Sequence, residues 1–156
     1  MSFRLSKQEE NFGKQLRDGN KPFFKMDFDT YYICAMVGLV TGTKETEKID
    51  SKNSRELLRN YPIDYRDDFR IINGLLVSSH LKDNGINLEN RAQVRKVIND
   101  LIDPNDAAHL RDKGYEELNQ YSAGGADILN RWFAQSPRSP LFFATALINE
   151  IRKQNE

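Results

Sequence analysis

Two groups of carboxylates in this chain could hold a divalent metal ion. One group contains Asp27 and Asp29, and the other contains Asp64, Asp67 and Asp68. Paired carboxylates bind Mg²⁺ and can activate water for phosphodiester cleavage, so either group could serve a small metal-dependent nuclease. Each group also stands where a helix is expected to begin, and acidic side chains there cap the helix and complement its dipole. We therefore expect helix capping at both groups, with no metal and no cofactor.

Arginines recur four residues apart at three places. The pairs are Arg55 with Arg59, Arg66 with Arg70, and Arg91 with Arg95. Residues at this spacing share one face of a helix, and clustered positive charge on one face can contact nucleic-acid phosphates. Acidic residues are interspersed among them, which is typical of an ordinary solvated surface. DNA binding through these arginines is therefore an alternative function.

The other reactive residues form no complete catalytic motif. Residues 38–44 resemble a phosphate-binding loop, but only three residues separate the glycines and Thr43 stands before Lys44. His80 and His109 have no Cys or His at ligand spacing. Cys34 lies in an apolar run, where burial would leave the thiol inert. We predict no catalytic residue, and a core-edge position for His80.

The composition indicates a polar protein without a strong net field. The 156 residues include 23 basic and 23 acidic side chains, which cancel. The first residues lack the apolar segment of a signal peptide, and the longest apolar run, residues 31–40, is too short to span a bilayer. A single cysteine suits a reducing compartment. We expect one domain over residues 1–156, located in the cytoplasm and without a membrane partner.

Hydrophobic spacing predicts an all-α fold, an orthogonal bundle of about six to eight helices. Ser6 and Glu9 form a capping-box pattern that opens a first helix ending at residues 18–20, with Phe12 and Leu16 inward. The apolar run at 31–40 fits either a central helix or a buried strand, and we favour the helix because the surrounding chain offers no convincing strand partner. Residues 43–54 are predicted to form a loop. The pattern further predicts a short helix at 54–58 and helix starts at Asp64, Asn87, Asp103-Pro104 and Ser139-Pro140, the last helix burying Phe142, Phe143 and Leu147.

Two adjacent glycines, Gly124 and Gly125, interrupt a stretch that otherwise has a helical pattern beginning before Tyr121. Each glycine costs roughly 1 kcal/mol of helix stability relative to alanine. That cost suggests a kink, a joint between two helices, or the close approach of another backbone. We favour the joint, which would let the helix ending at Tyr121 close onto the apolar stripe from Ile128 to Phe133.

Two segments together resemble the small accessory proteins of bacterial DNA phosphorothioation (Dnd) systems. The first is Pro22-Phe23 followed by Tyr31-Tyr32-Ile33-Cys34-Ala35-Met36-Val37-Gly38, and the second is Tyr121-Ser122-Ala123-Gly124-Gly125 with Ile128-Leu129. The resemblance leaves residues 44–112 unplaced, and the order of Ser122 and Ala123 departs from the family's pattern. It implies a cytosolic role in defence against foreign DNA beside larger nuclease or ATPase subunits, and it supplies no catalytic residues.

These observations support three hypotheses. The leading one is a non-enzymatic helical adaptor that docks on larger subunits of a DNA-modification or anti-phage defence system, with homo-oligomers possible. The second is a DNA-binding or transcription-regulatory module that uses the arginine pairs. The third is a metal-dependent nuclease that uses the Asp64 group.

Overall fold

The computed structural model describes residues 1–17, 24–134 and 139–156. Within these ranges the chain forms six α-helices and one two-stranded antiparallel sheet. In chain order the elements are β1 (Phe3–Ser6), α1 (Lys7–Arg17), α2 (Asp27–Thr41), β2 (Ser54–Leu58), α3 (Phe69–Asp83), α4 (Arg91–Leu101), α5 (Asp112–Trp132) and α6 (Pro140–Gln154). The fold is therefore mainly helical, as predicted, but the small sheet means that it is not purely all-α.

The predicted capping box opens α1. The backbone N–H of Ser6 donates to the Glu9 carboxylate at 2.6 Å, and the N–H of Glu9 donates to the Ser6 hydroxyl at 3.3 Å. Phe12 and Leu16 are buried, as their helical spacing predicted. The predicted end of this helix at residues 18–20 lies outside the described residues.

The short helix predicted at 54–58 is wrong, because these residues form β2. This strand pairs with β1, so that Arg4 lies opposite Glu56 and Leu5 opposite Arg55. The Arg4 guanidinium also stabilises the first residue of β2, since its Nε donates to the Ser54 hydroxyl at 2.8 Å. Pairing with β1 gives residues 54–58 backbone hydrogen bonds between strands, which a single isolated turn of helix would lack.

Two helices begin later than their capping signals predicted. Asp64 lies in a 3₁₀ turn (Ile63–Tyr65), and α3 starts at Phe69. Helix α4 starts at Arg91 rather than near Asn87, because the Asn90 side chain accepts the backbone N–H of Gln93 at 3.3 Å. In both helices a later residue, Asp68 or Asn90, occupies the N-cap position instead of the predicted one.

No helix restarts at Asp103-Pro104, contrary to the prediction. Asp106 instead folds residues 103–111 into a turn, because its carboxylate accepts the backbone N–H of Ala108 at 2.9 Å and of Leu110 at 3.3 Å. The same carboxylate accepts the Tyr115 hydroxyl at 2.9 Å. Helix α5 therefore begins only at Asp112.

Helices α2 and α5 pack against each other and separate two apolar clusters. One cluster is rich in aromatic rings that meet at Phe3, whose centroid lies 4.9–5.4 Å from four neighbours: Phe28, Tyr31, Tyr61 and Tyr115. The other joins α1, α5 and α6 through buried Phe12, Leu129, Phe133 and Phe143. Phe143 and Leu147 of α6 pack in this second cluster, so the opposite side of that helix faces outward.

Candidate functional site

The double glycine lies inside an unbroken helix, so the predicted joint is wrong. Helix α5 runs through Gly124 and Gly125 while the backbone of α2 passes against them. A Cβ atom at Gly125 would lie 1.8 Å from the carbonyl oxygen of Cys34. One at Gly38, on the facing helix, would lie 1.9 Å from the carbonyl oxygen of Tyr121. The glycines on both helices therefore allow two backbones to touch, the close approach that was the alternative to a joint.

Tyr121, which precedes the two glycines on α5, is fully buried beside this contact. Its hydroxyl donates a short hydrogen bond to the Asp83 carboxylate at the end of α3. The Nζ atom of Lys44 lies 5.5 Å from the centre of its ring. Burial and the neighbouring Asp83 carboxylate raise the pKa of Tyr121 above its ordinary value. The residue therefore stays neutral and ties α5 to α3, which is a structural role.

A buried carboxyl group lies where α1 crosses α2 and α5. Glu9 is inaccessible to solvent and accepts hydrogen bonds from the Ser6 backbone and the Ser122 hydroxyl. Burial raises the pKa of Glu9 to about 7, although the hydrogen bonds from Ser122 and Ser6 oppose this shift. Nearby, Asn119 accepts the Tyr31 hydroxyl at 2.8 Å. These groups are enclosed by the fold and give no access to a ligand.

The six arginines proposed for DNA binding are all exposed, but they lie on different elements. Arg55 lies on β2, where it pairs with Glu10 and Asp27, and Arg59 pairs with Glu56 at 3.0 Å. Arg66 and Arg70 flank the start of α3, and Arg91 and Arg95 lie on α4. The first pair is therefore neutralised by carboxylates. Within the described part of the chain, the α4 pair has no ion-pair partner.

Of the two acidic groups, the first makes capping hydrogen bonds as predicted, whereas the capping predicted for the second is wrong. Asp29 accepts the backbone N–H of Lys25 at 2.8 Å and of Met26 at 2.9 Å, which caps α2 as predicted. Asp64 and Asp67 lie in the turns before α3, and Asp68 precedes its first residue without making a side-chain capping bond. Across the described ranges, no group of three or more His, Cys, Asp or Glu side chains is arranged to hold a metal ion.

The surroundings of Cys34 and His109 are those of residues that stabilise the fold. Cys34 is free and fully buried, and burial raises its thiol pKa well above the ordinary value. The His109 ring stacks on Phe69 with centroids 4.3 Å apart, and its Nδ1 atom lies 3.2 Å from the carbonyl oxygen of Pro104. Burial shields Cys34 from ligands, and within the described ranges neither residue belongs to a group arranged to hold a metal ion.

His80 has a more specific environment than its predicted core-edge position suggested. Its Nδ1 atom lies 2.7 Å from the Glu117 carboxylate, whose other neighbour is the Lys44 ammonium at 3.6 Å. The side chains of His80 and Glu117 are 13% and 7% exposed. The sequence contains one sign that Glu117 is buried. At helical spacing it falls on the same face as Gly114, Leu118 and Tyr121, which are buried.

Helix α6 presents an apolar outer face. Leu141, Phe142 and Ile148 are 78%, 59% and 50% exposed, whereas Phe143 and Leu147 on the opposite side are buried. The predicted burial of Phe142 is therefore wrong, because one residue rotates the helix by 100° and Phe143 takes the inward position. The helix begins as predicted, with the Ser139 hydroxyl accepting the Phe142 N–H at 3.2 Å. The outer face also carries Thr145, Asn149 and Arg152.

Comparison of the chain with models of known protein families, with curated proteins and with solved structures found no match. None of the helices in the described ranges has the length and apolar character needed to cross a membrane. Within the described ranges, the exposed outer face of α6 and the largely buried His80–Glu117 pair are features that could contact a partner or a ligand.

Proposed function

We propose that this protein is a non-enzymatic adaptor that docks on a larger protein through the outer face of α6. The observation that supports this proposal is the exposure of Leu141, Phe142 and Ile148 on a helix whose opposite side anchors it to the core. Three large apolar side chains on one face of an amphipathic helix match the way such helices bind apolar grooves.

The size of this face favours a grooved partner over a second copy of the chain. With side chains of about 200 Å² each, the three residues leave roughly 400 Å² of surface exposed. A stable interface buries about 800 Å² on each partner, so self-pairing through this face alone would be too small. A groove contacts the flanks of the helix as well. Arg152 at the end of the face would be matched by a carboxylate of the partner.

The Dnd resemblance suggests the class of partner, which is a larger nuclease or ATPase subunit of a bacterial DNA-modification or anti-phage defence system. That role would place the protein in the cytoplasm. The adaptor role is also compatible with the predicted single orthogonal bundle, which would support one docking helix.

Co-purification with the products of neighbouring genes tests the proposal. We expect Leu141→Asp with Phe142→Asp to abolish capture, because two buried charges cannot be solvated in an apolar groove. Ile63→Asp is the matched control, since Ile63 is 75% exposed but lies away from α6. Loss of capture in the α6 variant alone supports the proposal. Equal capture by both variants and the unmodified chain, or dimerisation abolished by the α6 variant, contradicts it.

DNA binding is a second candidate, favoured by the exposed Arg91 and Arg95 on α4. Binding through these residues would weaken steeply with salt, because each phosphate contact releases a counterion. Replacing both by glutamine should reduce the salt slope by about two, whereas Arg59→Gln should leave it unchanged. A slope that does not respond to the α4 variant would exclude this surface.

The nuclease hypothesis concerns Asp64, Asp67 and Asp68 and remains a prediction. Incubation of DNA with Mg²⁺ or Mn²⁺ tests it directly. Asp67→Asn should then abolish cleavage. Absence of cleavage by the unmodified chain, or cleavage unchanged by the substitution, would reject it.

A further inference from the structure

A cleft between α3, α4 and the start of α5 has His80 in its wall. The cleft has a volume of about 350 Å³. It is lined by His80, Asn84, Ile86, Gln93, Lys96, Val97, Asp100 and Lys113. Sites for small ligands usually start at about 300 Å³ and combine an apolar wall with a few polar groups, so this cleft has room for a small ligand.

The imidazole of His80 is held in one orientation. Glu117 is buried behind it and engages Nδ1 at 2.7 Å, so the remaining ring nitrogen, Nε2, is the one available to the cleft. Within the described part of the chain, Nε2 has no hydrogen-bond partner, and it is not among the buried polar atoms that lack one. A carboxylate that orients one ring nitrogen while the other meets solvent is the arrangement found in binding and proton-transfer histidines.

The charges around the cleft favour an anion. Lys44 lies 3.6 Å from Glu117, so the charge of the buried carboxylate is already balanced. Among the residues that line the cleft, Lys96 and Lys113 are positive and Asp100 is negative. Neither lysine forms an ion pair within the described ranges. The two lysines outnumber Asp100, so the charged lining residues leave an excess of one positive charge in the cleft.

We propose that this cleft binds the phosphate group of a small molecule or of a nucleic-acid end. Lys96 and Lys113 supply ammonium donors to the oxyanion, and the Gln93 amide adds a neutral donor. The neutral His80 ring accepts the hydrogen of a protonated phosphate oxygen through Nε2, and the imidazolium form donates to an unprotonated one. The site is separate from the outer face of α6, so neither proposal depends on the other.

A titration with inorganic phosphate, followed by NMR of ¹⁵N-labelled imidazoles at constant ionic strength, tests the site. The chain has 2 histidines, so His109 is an internal control that faces a different part of the surface. We expect the His80 signals to shift and saturate while those of His109 stay in place. Shifts that are equal for both rings, or that sodium chloride reproduces, would overturn the proposal.

Exposed lysines give variants that leave the fold intact. Lys96→Gln and Lys113→Gln should each weaken phosphate binding by about tenfold, the effect of losing one charge-assisted hydrogen bond in a partly open site. Lys52→Gln removes an exposed lysine outside the cleft and should leave the affinity unchanged. Unchanged affinity in both cleft variants would overturn the assignment.

A competition experiment separates the two sources of the phosphate. A 5′-phosphorylated oligonucleotide and its unphosphorylated counterpart are each added to the complex with inorganic phosphate. Displacement by the phosphorylated strand alone supports a nucleic-acid end as the ligand, and failure of both strands supports a small phosphorylated molecule. Equal displacement by both strands would overturn the proposal, because the cleft would then not recognise a terminal phosphate.

Discussion

Replacing Gly125 by alanine tests whether direct contact between the α2 and α5 backbones is what fixes their packing. The added Cβ would lie 1.8 Å from the Cys34 carbonyl oxygen, 2.7 Å from the Gly38 nitrogen and 2.8 Å from the Cys34 carbonyl carbon. All three atoms belong to the backbone of α2, so no side chain can rotate away. Restoring ordinary contact distances requires the helices to separate by about 1.5 Å.

Two opposing effects set the magnitude. Alanine gains roughly 1 kcal/mol of helix propensity over glycine. Overpacking a rigid core typically costs about 1–3 kcal/mol, and we expect about 3–5 kcal/mol here because the backbone itself must move, so this term exceeds the gain. We expect a net loss of about 2–4 kcal/mol, which lowers the melting temperature by roughly 5–15 °C for a chain of this size. Gly125→Val adds two methyl groups to the same contact and should be worse.

Gly74 provides the matched control. It is an exposed interior residue of α3, and a Cβ atom there would meet nothing within 4 Å. Gly74→Ala therefore keeps the propensity gain without the clash and should stabilise the fold by up to about 1 kcal/mol. Thermal and urea unfolding followed by circular dichroism would compare the two variants. If both raised stability, or both left it unchanged, backbone contact at Gly125 would be refuted.

Other predictions concern buried polar groups and one helix cap. Because burial raises the Glu9 pKa from 4.5 to about 7, the folded state holds this proton more tightly, and its contribution to stability is lost as pH rises through that interval. Glu9→Gln cannot ionise, so its unfolding free energy should gain about 3 kcal/mol relative to the unmodified chain between pH 4.5 and 7; parallel urea-derived curves would contradict this. Asn73→Ala leaves the Tyr61 hydroxyl and the Ala108 carbonyl oxygen without their buried partner and should cost about 2–4 kcal/mol in urea unfolding; a change below about 1 kcal/mol would contradict it. Ser139→Ala removes the cap of α6 and should cost about 1 kcal/mol, seen as faster amide exchange in that helix, whereas unchanged exchange would show that the cap contributes nothing.

The sequence predicted the elements whose signals are local. The capping box at Ser6 and Glu9, the buried central helix and the Ser139-Pro140 start all depend on residues within one or two turns of each other. The strand at 54–58 could not be predicted in this way, because its hydrogen bonds come from β1, about 50 residues earlier in the chain. The start of α5 was missed for a different reason, because Asp103-Pro104 fits the start of a helix, but the Asp106 carboxylate accepts the nearby N–H groups of Ala108 and Leu110 and so holds a turn.

The candidate sites show a different limit of sequence analysis. The sequence shows the spacing of the arginines, but their partners depend on which strand or helix carries them. Among the described residues, Arg55 forms ion pairs and Arg91 forms none. His80 and Glu117 are 37 residues apart, and only the packing of α3 on α5 brings them together. For Gly125, the sequence indicated a local purpose, but it could not show which backbone approaches.

The pairing of β1 with later parts of the chain has a consequence for synthesis on the ribosome. Phe3 is surrounded by rings that come from α2, from Tyr61 and from Tyr115, and the backbone N–H of Arg4 donates to Asn119 at 3.0 Å. The contacts with Tyr31 and Tyr61 can form early, but the Arg4–Asn119 bond joins residues 115 positions apart and must wait until that much more chain has been made. The first strand can therefore pair with β2 before α5 exists, but the face of Phe3 that α5 later covers stays exposed until then, and transiently exposed apolar surface of this kind favours aggregation.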